Sequence, residues 1–266
     1  MPLFCPGAMC FDFDARPPAL PDDLLLAPIA GGAGAELLEL TSADGTRFSA
    51  SLAEVGTGRE GAVVILPDVR GLYPFYSELA ERFAQAGYPA IALDYFGRTA
   101  GLGPRDEEFE YMPHVQQLKV PQVQEDTAAA IAALQERTGV DRVATVGFCL
   151  GGFESFLAGA DMTDLTAVVG FYGVLDGSRM GIAGPLDRAG EIRVPLLGLF
   201  GGADQAIPVE QVEQFDARLT EAGLDHEIHV YPGAPHSFFD RRYEEHAQAS
   251  EDAWRRMLAF LERHVA

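Results

Sequence analysis

Short apolar runs alternate along most of this chain with longer stretches in which apolar residues recur at helical spacing. The run at 62–66 is uninterrupted, as expected of a strand buried on both faces. At 75–86 the residues Leu79, Phe83 and Ala86 recur with the helical period, and Gly87 supplies a stop signal. The same alternation predicts strands at 88–93, 143–147, 167–171, 195–200 and 226–231, and helices at 123–138, 150–160, 209–222 and 243–264. Two earlier strands, 37–41 and 47–55, flank the turn signal Ala43-Asp44-Gly45. Strands alternating with helices imply an α/β fold. Its central sheet is mostly parallel with helices on both faces, and an N-terminal antiparallel hairpin leads into it. No linker-like composition shift interrupts the pattern, so residues 1–266 are read as one domain. Residues 1–35 form a Pro- and Gly-rich irregular arm. The segment 99–121 fits neither period and reads as a lid or pocket wall.

Composition narrows the function classes. The 266 residues are 48% hydrophobic and 22% charged, which is ordinary for a globular chain. The formal charge of −21 repels phosphate backbones and anionic lipid, so neither nucleic acid nor membrane is expected as a partner. No apolar run is long enough to cross a bilayer. Before Pro18 the only basic residue is Arg16, and Pro2, Pro6 and Pro17 interrupt any apolar stretch, which does not fit a secretory signal. Three cysteines, Cys5, Cys10 and Cys149, cannot make a disulfide framework, and a cytoplasmic location is expected. Cys5 and Cys10 have no nearby Cys/His cluster to complete a metal site, so they read as packing thiols.

The sharpest chemical signal is Gly147-Phe148-Cys149-Leu150-Gly151-Gly152, set between a predicted strand and a predicted helix. A nucleophile on such a turn needs strained backbone angles, and flanking glycines let the chain fold that closely. The helix N-terminus then lowers a thiol's pKa and offers the Leu150 N–H to a developing oxyanion. An acid and a base follow in the order expected of this elbow. Asp204 comes after the strand at 195–200, and His236 after the strand at 226–231. A carboxylate that fixes the tautomer of a histidine, and a histidine that exchanges protons near neutrality, complete a nucleophile–base–acid set.

With those residues in view, from about Leu37 to the last helix the chain resembles the dienelactone hydrolases (carboxymethylenebutenolidases), α/β-hydrolases with a cysteine nucleophile. The likeness is carried by Leu66-Pro67-Asp68-Val69-Arg70-Gly71, Asp94-Tyr95-Phe96-Gly97-Arg98, the Cys149 elbow, Asp204 and His236-Ser237-Phe238. The resemblance implies a Cys149–His236–Asp204 triad and assigns Asp68 as the carboxylate that holds the resting thiol. It also implies Val69 as the second oxyanion N–H and Arg98 as one of two arginines that grip a substrate carboxylate. Two positions depart from the family pattern: Asp68 stands where glutamate is usual, and Asp240 stands where the second arginine falls, with Arg241 next along. An acid there repels a carboxylate unless Arg241 takes over the role.

The expected function is hydrolysis of a small-molecule ester or lactone through an acyl-enzyme, with no metal or organic cofactor. A carboxylesterase for neutral esters is the alternative within the class. A reactive-thiol binding or redox-sensing protein on a hydrolase fold is the alternative outside it. Tyr172 reads equally as a pocket residue or as core. Tyr111 and His114 are expected in an exposed loop, Arg70 on the surface, and Asp106-Glu107-Glu108 on a solvated acidic face.

Overall fold

A computed structural model describes residues 15–26, 34–54, 59–240 and 243–266. Eight strands form one sheet in the order β1-β2-β4-β3-β5-β6-β7-β8. The antiparallel hairpin is β1 (Glu36–Thr41) with β2 (Arg47–Ala53), and β2 also runs antiparallel to β4 (Ala90–Leu93). The remaining pairs are parallel: β3 (Gly61–Leu66), β5 (Arg142–Phe148), β6 (Ala167–Phe171), β7 (Leu196–Gly201) and β8 (His226–Tyr231). The predicted α/β class and the entering hairpin are both present. Every residue of β3, β4, β6 and β7 is buried, which is why these strands read as unbroken apolar runs.

Helices α1 (Pro74–Gln85) and α7 (Ala247–His264) pack together through Phe83 and Trp254, whose rings lie 5.4 Å apart. A second layer contains α4 (Val120–Thr138), α5 (Leu150–Asp161) and α6 (Val209–Glu221), joined by contacts such as Phe156 to Phe215 at 5.4 Å. A single-turn helix, α2 (Gly97–Ala100), leads into the predicted lid segment, and a second, α3 (Met112–Val115), lies within it. Within it His114 is half-buried and stacks on Phe109 at 5.1 Å, so it is packed rather than freely exposed. Asp106, Glu107 and Glu108 are exposed, as expected.

Most element ends lie within a residue or two of the sequence reading, and three starts differ for instructive reasons. Helix α4 begins at Val120, because Pro121 opens its first turn with its ring already at a helical φ. Strand β4 starts at Ala90, and α7 starts at Ala247 after a string of turns rather than at 243. Of the N-terminal arm, residues 15–26 are irregular apart from one 3₁₀ turn, and Trp254 Nε1 donates to Pro18 O at 3.3 Å. Cys5, Cys10 and Val55 lie outside the described residues.

One buried acid stands out in α5. Glu154 is 3% exposed, its Oε2 meets no hydrogen-bond partner, and burial pushes its carboxyl up to about 8. An acid whose folded pKa lies above its ordinary 4.5 takes stability away as pH rises through that interval. Stability is therefore expected to fall between about pH 4.5 and pH 8 through this residue. Glu154→Gln should flatten that slope and raise stability at pH 7 by up to about 3 kcal/mol, read from urea midpoints at pH 5, 7 and 8.5. An unchanged slope in the variant would show that Glu154 is ionised and solvated.

Candidate active site

The C-terminal ends of β3, β5, β6, β7 and β8 converge on one buried site. At the end of β5 the chain turns straight into α5, and Cys149 sits on the turn with φ 55° and ψ −109°. Neighbouring backbone leaves no alternative to glycine here. A Cβ on Gly147 would lie 1.9 Å from Gly151 O, and one on Gly151 would lie 1.9 Å from Leu66 O. The first turn of α5 is thereby pressed against the end of β3, next to the loop that carries Asp68 and Val69. Cys149 N–H donates to Phe171 O at 3.0 Å, which fastens the elbow to β6. Leu150 is the first residue of α5, where backbone N–H groups have no partner within the helix.

The candidate acid and base, Asp204 and His236, form a buried pair at the same sheet end. His236 Nδ1 lies 2.7 Å from Asp204 Oδ2, and both residues are buried. Asp204 Oδ1 accepts the N–H groups of Ala206 at 2.8 Å and Ile207 at 3.3 Å, so the carboxylate is held at both oxygens. The opposite ring nitrogen, Nε2, is buried with no hydrogen-bond partner, and Cys149 acts on the imidazole electrostatically. Burial pulls the His236 imidazole down. Negative charge on Cys149 and the bond to Asp204 outweigh it, and the pKa lies well above 6.5. Cys149, Asp204 and His236, far apart in sequence, thus interact in one buried cluster.

Asp68 is buried just after β3, and its oxygens accept from Arg70. Oδ1 accepts the Arg70 backbone N–H at 2.8 Å and Nε–H at 3.2 Å, and Oδ2 accepts from an Arg70 terminal nitrogen at 2.6 Å. Arg70 is not on the surface as expected: it is 1% exposed, donates to Tyr73 Oη at 2.7 Å and lies over the Tyr73 ring. The spacing Asp68-x-Arg70 was the signal for this pair, since it lets one turn neutralise its own buried carboxylate. Val69, between them, is buried.

Tyr172, at the end of β6, has φ 38° and is fully buried. Burial, then the charge of Asp240, keeps its phenol protonated, and the hydroxyl donates to Asp240 Oδ2 at 2.7 Å. Its ring lies 4.9 Å from that of His236. Asp240 is 1% exposed, so the acid at the family's second arginine position faces inward. Arg98 is engaged by three carboxylates: Asp44 at 2.9 Å, Glu125 at 3.3 Å and Asp126. It joins the β1–β2 turn to α4. Arg241 lies outside the described residues. Among the described residues, no group of three or more His, Cys, Asp or Glu is placed to hold a metal ion. None of the helices among those residues is long and apolar enough to cross a membrane.

Comparison with known proteins gives this arrangement its context. The sequence pattern of the Dienelactone hydrolase family matches residues 48–265. A protein of Escherichia coli K12 named "Putative carboxymethylenebutenolidase" is 34% identical over 211 residues, 76% of either chain. A Bradyrhizobium protein named "Probable 2-oxo-3-(5-oxofuran-2-ylidene)propanoate lactonase" is 29% identical, over 79% of this chain and 87% of its own. A crystal structure described as a "Putative Dienelactone Hydrolase" from Klebsiella pneumoniae superposes with a TM-score of 0.74 at 28% identity. It covers 86% of this chain and all of that one. By sequence and by fold together, this chain belongs to the dienelactone hydrolase family.

Proposed function

We propose that the protein hydrolyses carboxylic ester or lactone bonds with Cys149 as nucleophile, His236 as acid and base, and Asp204 as its orienting carboxylate. The observation that carries this reading is the buried 2.7 Å contact of His236 Nδ1 with Asp204, in a histidine whose charge is coupled to the elbow cysteine. With its pKa raised by a charge on Cys149, His236 favours a thiolate–imidazolium pair at rest. The thiolate sulfur attacks the carbonyl carbon, and the C=O electron pair moves onto oxygen. The N–H groups of Leu150 and Val69 are assigned to receive that oxyanion. Its collapse breaks the C–O bond, and the leaving alkoxide takes the proton from His236 Nε2. A water molecule, deprotonated by the now neutral His236, then attacks the thioester and releases the acid and the thiolate.

The charges around the site favour an uncharged substrate. Arg98 is held by three acids, Arg70 is paired with Asp68, and Asp240 is buried beside Tyr172. A free carboxylate on the substrate would meet Asp240 rather than a second arginine. In place of the two-arginine carboxylate clamp implied by family resemblance, these charges support a preference for neutral esters or neutral lactones.

Cys149→Ala should leave the fold intact and reduce hydrolysis of a chromogenic short-chain ester below a few per cent of wild type. Wild type should release many equivalents of product per chain. A burst of one equivalent with no further turnover would instead show a reactive thiol.

The pH profile tests the base. The alkaline limb of kcat/KM should lie well above 6.5, because the imidazolium must survive for the pair to react. In Asp204→Asn it should move to lower pH, since the carboxylate that stabilises the cation is gone. A limb that stays in place would remove Asp204 from the role.

Substrate charge is the third test. Neutral esters should exceed matched carboxylate-bearing ones by at least tenfold in kcat/KM. Arg98→Ala should leave that ratio unchanged while lowering the melting temperature, because buried Asp126 loses its cation. A selective loss on the anionic substrates would return Arg98 to the substrate.

A further inference from the structure

A cavity of about 730 Å³ opens near the β1 edge of the sheet, between the hairpin, the first turn of α1 and residues 101–106. Neither Cys149, Asp204 nor His236 lines it. Its apolar wall comes from Leu37, Leu72, Pro74, Leu102 and Pro104, and two of these, Leu37 at 72% and Leu102 at 40%, are unusually exposed for leucine. That volume lies within the range of sites that enclose a drug-sized molecule.

The charges on the lining are one-sided. Arg105 is the cation there, and Asp94 neutralises it: Arg105 Nε and a terminal nitrogen donate to Asp94 at 3.2 and 2.8 Å, and the latter also reaches Gly101 O at 2.6 Å. Glu39, Glu78 and Asp106 remain, with Glu39 shared with Arg47 outside the cavity. An apolar hollow rimmed by acids, on a chain of charge −21, attracts cations and repels anions.

We propose that this cavity is a second binding site, separate from the triad, for a small molecule with an aromatic or aliphatic body and one positive charge. The hollow takes the body, and Glu78 and Asp106 take the charge. Leu72 and Tyr73 form part of its wall, and Tyr73 Oη accepts from Arg70, the partner of Asp68. An occupant therefore rests against the loop that carries the assigned oxyanion donor Val69.

The test is calorimetric titration of the full chain with 1-naphthylmethylammonium, 1-naphthylmethanol and 1-naphthoate. Heat of binding is read directly, so the result stands whether or not the triad hydrolyses esters. The ammonium probe should bind saturably and at least tenfold more tightly than the other two. Ser77→Trp, which fills the cavity from α1, should abolish binding, and Glu78→Lys should weaken it at least tenfold. Both variants should keep wild-type hydrolysis of a neutral ester. If Ser77→Trp fails to fold, Leu102→Trp fills the same space from the exposed loop. Equal affinity for all three probes, no saturable binding up to millimolar probe, or binding that survives both filling variants would each overturn the proposal. So would a concentration-dependent dimer that Ser77→Trp dissociates, since a second copy would then occupy the cavity.

Discussion

The constraint on which the rest of the site depends is the approach of the first turn of α5 to the ends of β3 and β5. Gly147 and Gly151 leave no room for a side chain between those backbones. Because the helix start is driven that close, Cys149 is held at a positive φ, and the Asp68–Val69 loop lies within reach of the same place. Move the helix outward by the width of one methyl group and Cys149, the helix N–H groups and the β3 loop no longer share a focus.

Around that contact the polar groups are paired almost without remainder. Asp204 is saturated by His236 and two backbone N–H groups, Asp68 by Arg70, and Tyr172 by Asp240. Below them Phe148 packs on Phe171 at 4.7 Å and on Phe239 at 5.9 Å. Buried polar groups held this way have fixed orientations, because each lost bond would leave an unsolvated charge or hydroxyl. His236 Nε2 is the exception among them, and it is the atom the proposed chemistry requires to exchange a proton.

Much of this was legible from residue order. The unbroken apolar runs marked β3, β6 and β7 because those strands are buried on both faces, and the elbow was marked by its glycines. The residues proposed as a triad stand just after β5, β7 and β8, which the residue order also displays. What the order of residues did not display was pairing across the fold. Arg70 reads as a lone surface arginine until its neighbour two residues back is seen to be buried with it. Arg98 carries a family pattern for substrate binding, yet Asp44, Glu125 and Asp126 come from a turn and a helix remote in sequence. The start of α7 was misplaced for a simpler reason: Tyr243 to His246 contain nothing that breaks a helix, and only tertiary position keeps them in turns.

Cys149, Tyr172 and Ser237 are the three described non-glycine residues with positive φ, and each follows a different strand of the same sheet end. Such conformations are disfavoured by about 1–3 kcal/mol apiece and persist only while neighbouring structure enforces them. Any local opening that frees one of these three loops releases its share of strain at once, whereas melting the buried strands requires the whole sheet to part. Competence for chemistry is therefore expected to be lost before the sheet melts, while most of the backbone is still folded.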